Sequence, residues 1–193
     1  MKPNNKLTYF EKQYIFYGSF HHDKWNILTH VIFVPLILWT SLGLFEKIGN
    51  IYETKIFNTQ IDINLSLLTA LFYIAYYLKL EFVAGLLITP ILLFFNWSAV
   101  QFNRNYPVLS LKVEIGLFIV SWVAQFASHY YFEKRAPALL DGLFQALSLA
   151  PLFVFLEILF YLGYNPSYKD YTMDIISKEV FEYKQEKAAI YSK

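Results

Sequence analysis

Four histidines stand in two groups in this chain of 193 residues. His21, His22 and His30 fall in the run FHHDKWNILTHVIFVP at residues 20–35, and His129 lies far downstream in SHYYFEKRAPALL. Imidazole suits zinc, copper, iron and nickel. A single histidine on an apolar helix is usually a hydrogen-bonded core or interfacial residue. Four grouped in this way point instead to a site, because ionisable groups at membrane depth are costly and tend to be functional. Asn26 and His30 are four apart and share a helix face. On a continuous helix His22 lies about 80° from His30 and His21 about 180° from it, so periodicity prefers His22 as the partner. If the helix starts at Lys24, His21 sits in the preceding turn and that rule does not reach it. His129 and Glu133 are also four apart. Glu133 then has three readings: a ligand, a carboxylate orienting an imidazole, or a partner for Lys134 or Arg135.

These residues need elements to carry them, and the composition says what kind. The chain is 56% hydrophobic and only 16% charged, against about 25% charged in average soluble domains. Its solvent is therefore largely lipid. A net charge of +1 gives no electrostatic reason to expect nucleic acid. There is no cysteine, which excludes disulfides and thiolate metal sites. No Gly-rich phosphate loop, GxSxG or HExxH motif occurs. A haem held by two histidines would place them inside a bundle, whereas these crowd one rim. Residues 1–20 lack the apolar core of a cleavable signal peptide and read as an amphipathic, aromatic segment.

Asp23 can cap a helix beginning near Lys24. Residues 26–45 then form an apolar run long enough to cross about 30 Å of hydrocarbon, with Pro35 inside it. Residues 46–62 read as a polar loop. Residues 63–78 and 82–102 are two further runs joined so closely that they form an antiparallel hairpin. Pro90 and Asn96 are expected to mark interior positions of the second. Residues 103–112 read as a loop, 113–132 as a fourth run, and 139–163 as a fifth carrying Asp141, Gln145 and Glu157. The expected fold is all-α, a multi-pass transmembrane helical bundle of about five hydrophobic helices. Residues 1–163 form one membrane-embedded domain, and 164–193 a polar, helical tail that is solvated, interfacial or a docking helix for a partner. If each run crosses once, the start of the first helix and the end of the fourth share a membrane face. All four histidines, with Asp141, then fall at one rim.

The two histidine segments resemble the DUF962 family. His21, Asn26 and His30 supply its H-x4-N-x3-H pattern, and His129, Phe132, Glu133, Pro137 and Ala138 its second motif. The resemblance covers about residues 14–163. It implies a multi-pass endoplasmic reticulum protein, with the mitochondrial inner membrane as the alternative. The implied activity is that of an Fe(II)-dependent dioxygenase, which shortens 2-hydroxy fatty acids from sphingolipid long-chain base degradation by one carbon. It further implies His21, His30 and His129 as iron ligands, with His21 chosen over His22 against the helical wheel. Asn26 and Glu133 become catalytic-site residues, and Arg135 and Lys134 docking groups for the substrate carboxylate. The partners implied are the lipid bilayer, the hydroxy acid and dioxygen, with a homo-oligomer or a membrane complex left open. Two departures stand out: Ala136 replaces a basic residue, and Ser128 a glycine, which could tighten packing. The alternative function is a non-catalytic accessory subunit of a larger membrane complex, docked through the tail.

Overall fold

The computed structural model describes residues 7–56, 59–137 and 143–191. Seven helices and one β-hairpin follow in chain order: α1 (Tyr9–Phe20), α2 (Lys24–Glu46), β1 (Asn50–Ile56), β2 (Thr59–Asn64), α3 (Leu65–Leu80), α4 (Phe82–Asn105), α5 (Pro107–Ser128), α6 (Leu143–Tyr161) and α7 (Pro166–Tyr191). Between α5 and the segment leading to α6, His129–Glu133 form a π-turn. The architecture is that of a helical membrane bundle. Among the described residues three helices are long and apolar enough to cross a membrane: α2, α4, and α5 continued through the π-turn; α6 and α7, bent by 119° at their junction, make four if taken as one broken span. Each of the five expected hydrophobic runs carries a helix, the second from Leu65, after the end of β2, and the fifth over its described part from Leu143. At 16 residues, however, α3 rises only about 24 Å and falls short of a full crossing.

Local chemistry sets each boundary. A reciprocal capping box starts α1: the Thr8 N–H donates to Glu11 and the Glu11 N–H to the Thr8 hydroxyl. Asp23 caps α2 as expected, accepting from the Trp25 N–H at 2.8 Å. Asn64 caps α3, and Glu81 both closes α3 and caps α4. That single-residue connection forces the two backbones together. A Cβ on Gly85 would lie 2.6 Å from backbone atoms of Tyr77 and Leu78, so only glycine fits the crossing.

Three readings of the sequence are corrected. Residues 46–62 are not simply a loop: β1 and β2 pair antiparallel, Glu53 opposite Asp62 and Lys55 opposite Gln60. Ile51, Tyr52, Thr54 and Ile56 in β1 and Thr59, Ile61 and Ile63 in β2 are β-branched or aromatic types that favour extended strands. Residues 103–112 are helical except for Tyr106, because Pro107 sits at the first position of α5, where its missing N–H costs nothing. Pro90 faces outward, whereas Asn96 turns inward and donates to the Ser66 hydroxyl at 2.7 Å. Asp141 and Ala138 lie outside the described residues.

The core joins Leu38 and Leu42 of α2, Ala70 and Tyr77 of α3, Ile88 and Leu92 of α4, and Leu149, Leu152 and Phe153 of α6. Leu86, Phe94 and Trp97 of α4 and Ile119 and Val123 of α5 point outward, the distribution expected of faces that meet lipid rather than water. Helix α7 packs back on α1, burying Ile176 and Val180 in the same core as Tyr14. Tyr171, Phe181 and Ile190 of α7 remain exposed.

Helices α2 and α5 run antiparallel and are clamped at the end remote from the histidines. Glu114 is fully buried with the Lys47 ammonium 3.8 Å away. Lys47 also donates to Ser110 at 2.7 Å, and Asn103 of α4 donates to the Gly43 carbonyl and the Glu46 carboxylate. This clamp fixes the register of the two helices, and so what faces what at their other end.

Candidate metal centre

At that other end His30 of α2 meets His129 at the close of α5. His21, in the short linker after α1, closes the group. The three ring centroids lie 4.3, 4.8 and 5.0 Å apart, with ring planes at 75–86° to one another. One ligand atom from each falls within 4.8 Å of the others, and all three residues are buried. His22 is exposed. His21, not His22, is thus the one grouped with His30 and His129, against helical periodicity. The reason is that α1 stops at Phe20 and α2 begins at Lys24, so the wheel does not apply across the break.

Hydrogen bonds fix what these imidazoles can do. His21 Nδ1 is 2.8 Å from the Tyr17 carbonyl, and His30 Nδ1 is 2.9 Å from the Asn26 carbonyl. A carbonyl only accepts, so both protons sit on Nδ1 and both Nε2 atoms present lone pairs. Those two lone pairs face each other at 3.0 Å. Without a cation between them the contact is repulsive. A metal with nitrogens at about 2.0–2.1 Å would subtend this separation at close to a right angle. The donor set therefore fits a metal bound by neutral imidazoles, with His21 and His30 each oriented by a backbone acceptor in the manner usual for metal-bound histidine. Burial, reinforced by the neighbouring His30 and His129, holds the His21 pKa well below its ordinary value. The ring thus stays in the neutral, metal-binding form. Tyr17 stacks flat on it at 3.8 Å and 14°.

A second layer holds the linker in place. The π-turn re-aims Glu133 so that one oxygen, Oε1, accepts from the backbone N–H of His22 at 2.6 Å, the N–H of Asp23 at 2.8 Å and Asn26 Nδ2 at 3.0 Å. Through Oε1, Glu133 thus binds the turn that follows His21. Asn26, fully buried, also reaches the Phe20 carbonyl at 3.4 Å and accepts from the Ser128 hydroxyl at 2.7 Å. Ser128, where the motif has glycine, is therefore wired to Asn26 as well as packed.

Arg135 donates to the Ser19 carbonyl at 3.0 Å, and its guanidinium lies 3.5 Å from the Phe20 ring centre and 4.1 Å from that of Tyr183. It ties α1 to α7. Lys134 is exposed in a left-handed conformation, and its carbonyl accepts from Lys187. Both border a groove that His129 also reaches, but neither lines the main cavity. That cavity is an apolar cleft of about 250 Å³ onto which all three histidines open. It follows one face of α2 from His30 through Val34, Leu38 and Ser41 to Phe45, about 22 Å of helix. Gln125 lines it too, one turn before His129. The spacing of four from His129 was visible in the sequence, but nothing there assigned Gln125 a role.

The description "2-hydroxy-palmitic acid dioxygenase Mpo1-like" belongs to the family model that matches residues 7–162. The chain belongs to the Mpo1-like family. It is 39% identical over 154 residues to the 2-hydroxy-palmitic acid dioxygenase MPO1 of Saccharomyces cerevisiae, covering 80% of this chain and 82% of the yeast protein. No solved structure matches. The family resemblance drawn from the two histidine motifs is thereby borne out. The match ends at residue 162, so α7 lies beyond it, as the sequence comparison expected of the tail.

Proposed function

We propose that the chain is a membrane-embedded dioxygenase that takes 2-hydroxy fatty acids to acids one carbon shorter, with the carboxyl carbon lost. The observation that supports this most is the pair of facing Nε2 lone pairs, joined by His129, at the head of an apolar cleft. A structural subunit has no chemical need for three converging neutral imidazoles. His21, His30 and His129 would hold Fe(II), which supplies the redox chemistry that activates dioxygen. The fatty-acid class follows from the cleft, whose length along α2 suits a long acyl chain and whose walls offer it no charge. The activity named for the yeast relative agrees with this reading.

The chain's own residues have definite tasks. Tyr17 and Asn26 give their carbonyls to the two Nδ1 protons and so fix both tautomers. Glu133 and Asn26 hold the linker closed and keep bulk water from the rim. Val34, Leu38 and Phe45 receive the acyl chain. An endoplasmic reticulum membrane and a supply of substrate from long-chain base breakdown complete the proposal. The test is turnover by purified protein supplied with Fe(II). It should convert 2-hydroxypalmitic acid to pentadecanoic acid, and metal-loaded protein inert toward every 2-hydroxy acid would overturn the substrate assignment.

A further inference from the structure

Among the described residues that line the cleft, Gln125 leaves the hydrogen-bonding capacity of its whole amide unused. Gln125 is 6% exposed, and neither its Nε2 nor its Oε1 has a hydrogen-bond partner. An unpaired amide among apolar side chains is costly, and a buried polar group left in that state needs a reason. Trp122, Phe126, Val34 and Pro151 line the same cleft, and the hydroxyls of Ser41, Thr69 and Tyr73, which line it too, donate to backbone carbonyls instead. His129 follows four residues later and its Nδ1 is likewise unpartnered, yet the two do not bond each other. The amide is left facing the cavity into which the three histidines open.

From this geometry we infer that Gln125 is the specificity residue that recognises the 2-hydroxy carboxylate head group. An amide presents a donor and an acceptor side by side. A 2-hydroxy acid presents the complement: a carboxylate oxygen that accepts, next to a hydroxyl that donates. Nε2 donates to the carboxylate and Oε1 accepts from the hydroxyl. An unsubstituted fatty acid makes only the first contact and leaves Oε1 unpaired, so the cleft rejects it. Head-group recognition then falls to a neutral amide inside the cleft, in place of Arg135 and Lys134, which lie outside it. The inference rests on the hydroxy-acid reading above and adds to it the side chain that makes the selection.

The test compares equilibrium binding of 2-hydroxypalmitic acid and palmitic acid to the full-length, metal-loaded protein without oxygen. Gln125→Leu should weaken 2-hydroxypalmitic acid about tenfold or more and palmitic acid, which loses one contact but no longer leaves Oε1 unpaired, by much less, with metal content unchanged. The same substitution should raise the thermal midpoint of the ligand-free protein, because it removes an unpaired buried amide. Gln125→Glu, which sets a carboxylate against a carboxylate, should also lose the hydroxy acid. Equal weakening of both acids, or loss of metal from Gln125→Leu, would mean that the residue only supports His129 and would overturn the inference. Retained selectivity in Gln125→Leu overturns it while sparing the hydroxy-acid reading. Absence of selectivity in the wild type overturns both.

Discussion

Removing Glu133 should empty the metal centre although this side chain touches no ligand nitrogen. Its Oε1 collects three donors, two of them backbone N–H groups of the turn directly after His21. Hydrogen bonds to a charged acceptor are worth about 1.5–3 kcal/mol each, which gives a gross figure near 7 kcal/mol. Water recovers much of this at the exposed His22, so a net loss of about 3 kcal/mol is the working figure for Glu133→Ala. For a chain of this size that lowers the thermal midpoint by about 6–12 °C. The linker freed by the change carries His21, and losing an outer support of a metal ligand costs about 10–100-fold in metal affinity. Glu133→Gln keeps an acceptor oxygen without the charge, and neutral hydrogen bonds are worth about half as much. It should therefore fall between wild type and alanine in both readouts. The assays are thermal unfolding in detergent and metal affinity by competition with a chelator. Wild-type metal affinity in Glu133→Ala, at any stability, would refute the claim that this carboxylate holds His21 in place.

Three further outcomes follow from the same geometry. Alanine at His21, His30 or His129 should each abolish turnover, whereas His22→Ala should retain most of it because His22 is exposed; an equal loss at His22 would show the ligand choice to be wrong. Gly43→Ala would bring a Cβ within 2.0 Å of the Glu114 carboxylate, an overpacking that costs about 1–3 kcal/mol. It should be seen as a lower thermal midpoint together with reduced metal occupancy, since the same helix pair aligns His30 with His129. The metal-free protein should lose stability as pH falls. The folded state holds His21 well below its ordinary pKa, while the unfolded chain takes up a proton near pH 6.5. The contribution of His21 is therefore complete above about pH 6.5 and declines below it, and His21→Ala should flatten that slope in thermal unfolding followed against pH.

Much of the site was legible because its signals are local. Asp23 before an apolar run marks a helix start, and the hydrophobic runs place the start of α2 and the end of α5 on one side. What the sequence left open depended on contacts between distant elements. The contest between His21 and His22 turns on where α1 stops, which is settled by the His21 N–H bonding to the Gly18 carbonyl and by Glu133 binding the turn from 110 residues away. Glu133 reaches that turn only because the π-turn changes the residues' angular spacing, and sequence carries no marker of such a turn. Arg135 suggested a carboxylate-binding group by charge alone; Phe20 and Tyr183, remote in sequence, take up its guanidinium. The β-hairpin and the helical residues 107–112 were missed for a simpler reason. The charged and turn-forming residues of 46–62 and 103–112 mask Ile51, Tyr52, Ile61 and Ile63, which suit strands, and Pro107, which suits a helix start.

The most direct test of the account is the transition-metal content of the purified protein and of His21→Ala, His30→Ala and His129→Ala prepared alongside it. One ion per chain in the wild type, lost from each of the three variants while their folds persist, is the result the facing Nε2 atoms require. Full catalytic activity in protein stripped of metal, or a full complement of metal in any one of the three variants, would contradict it.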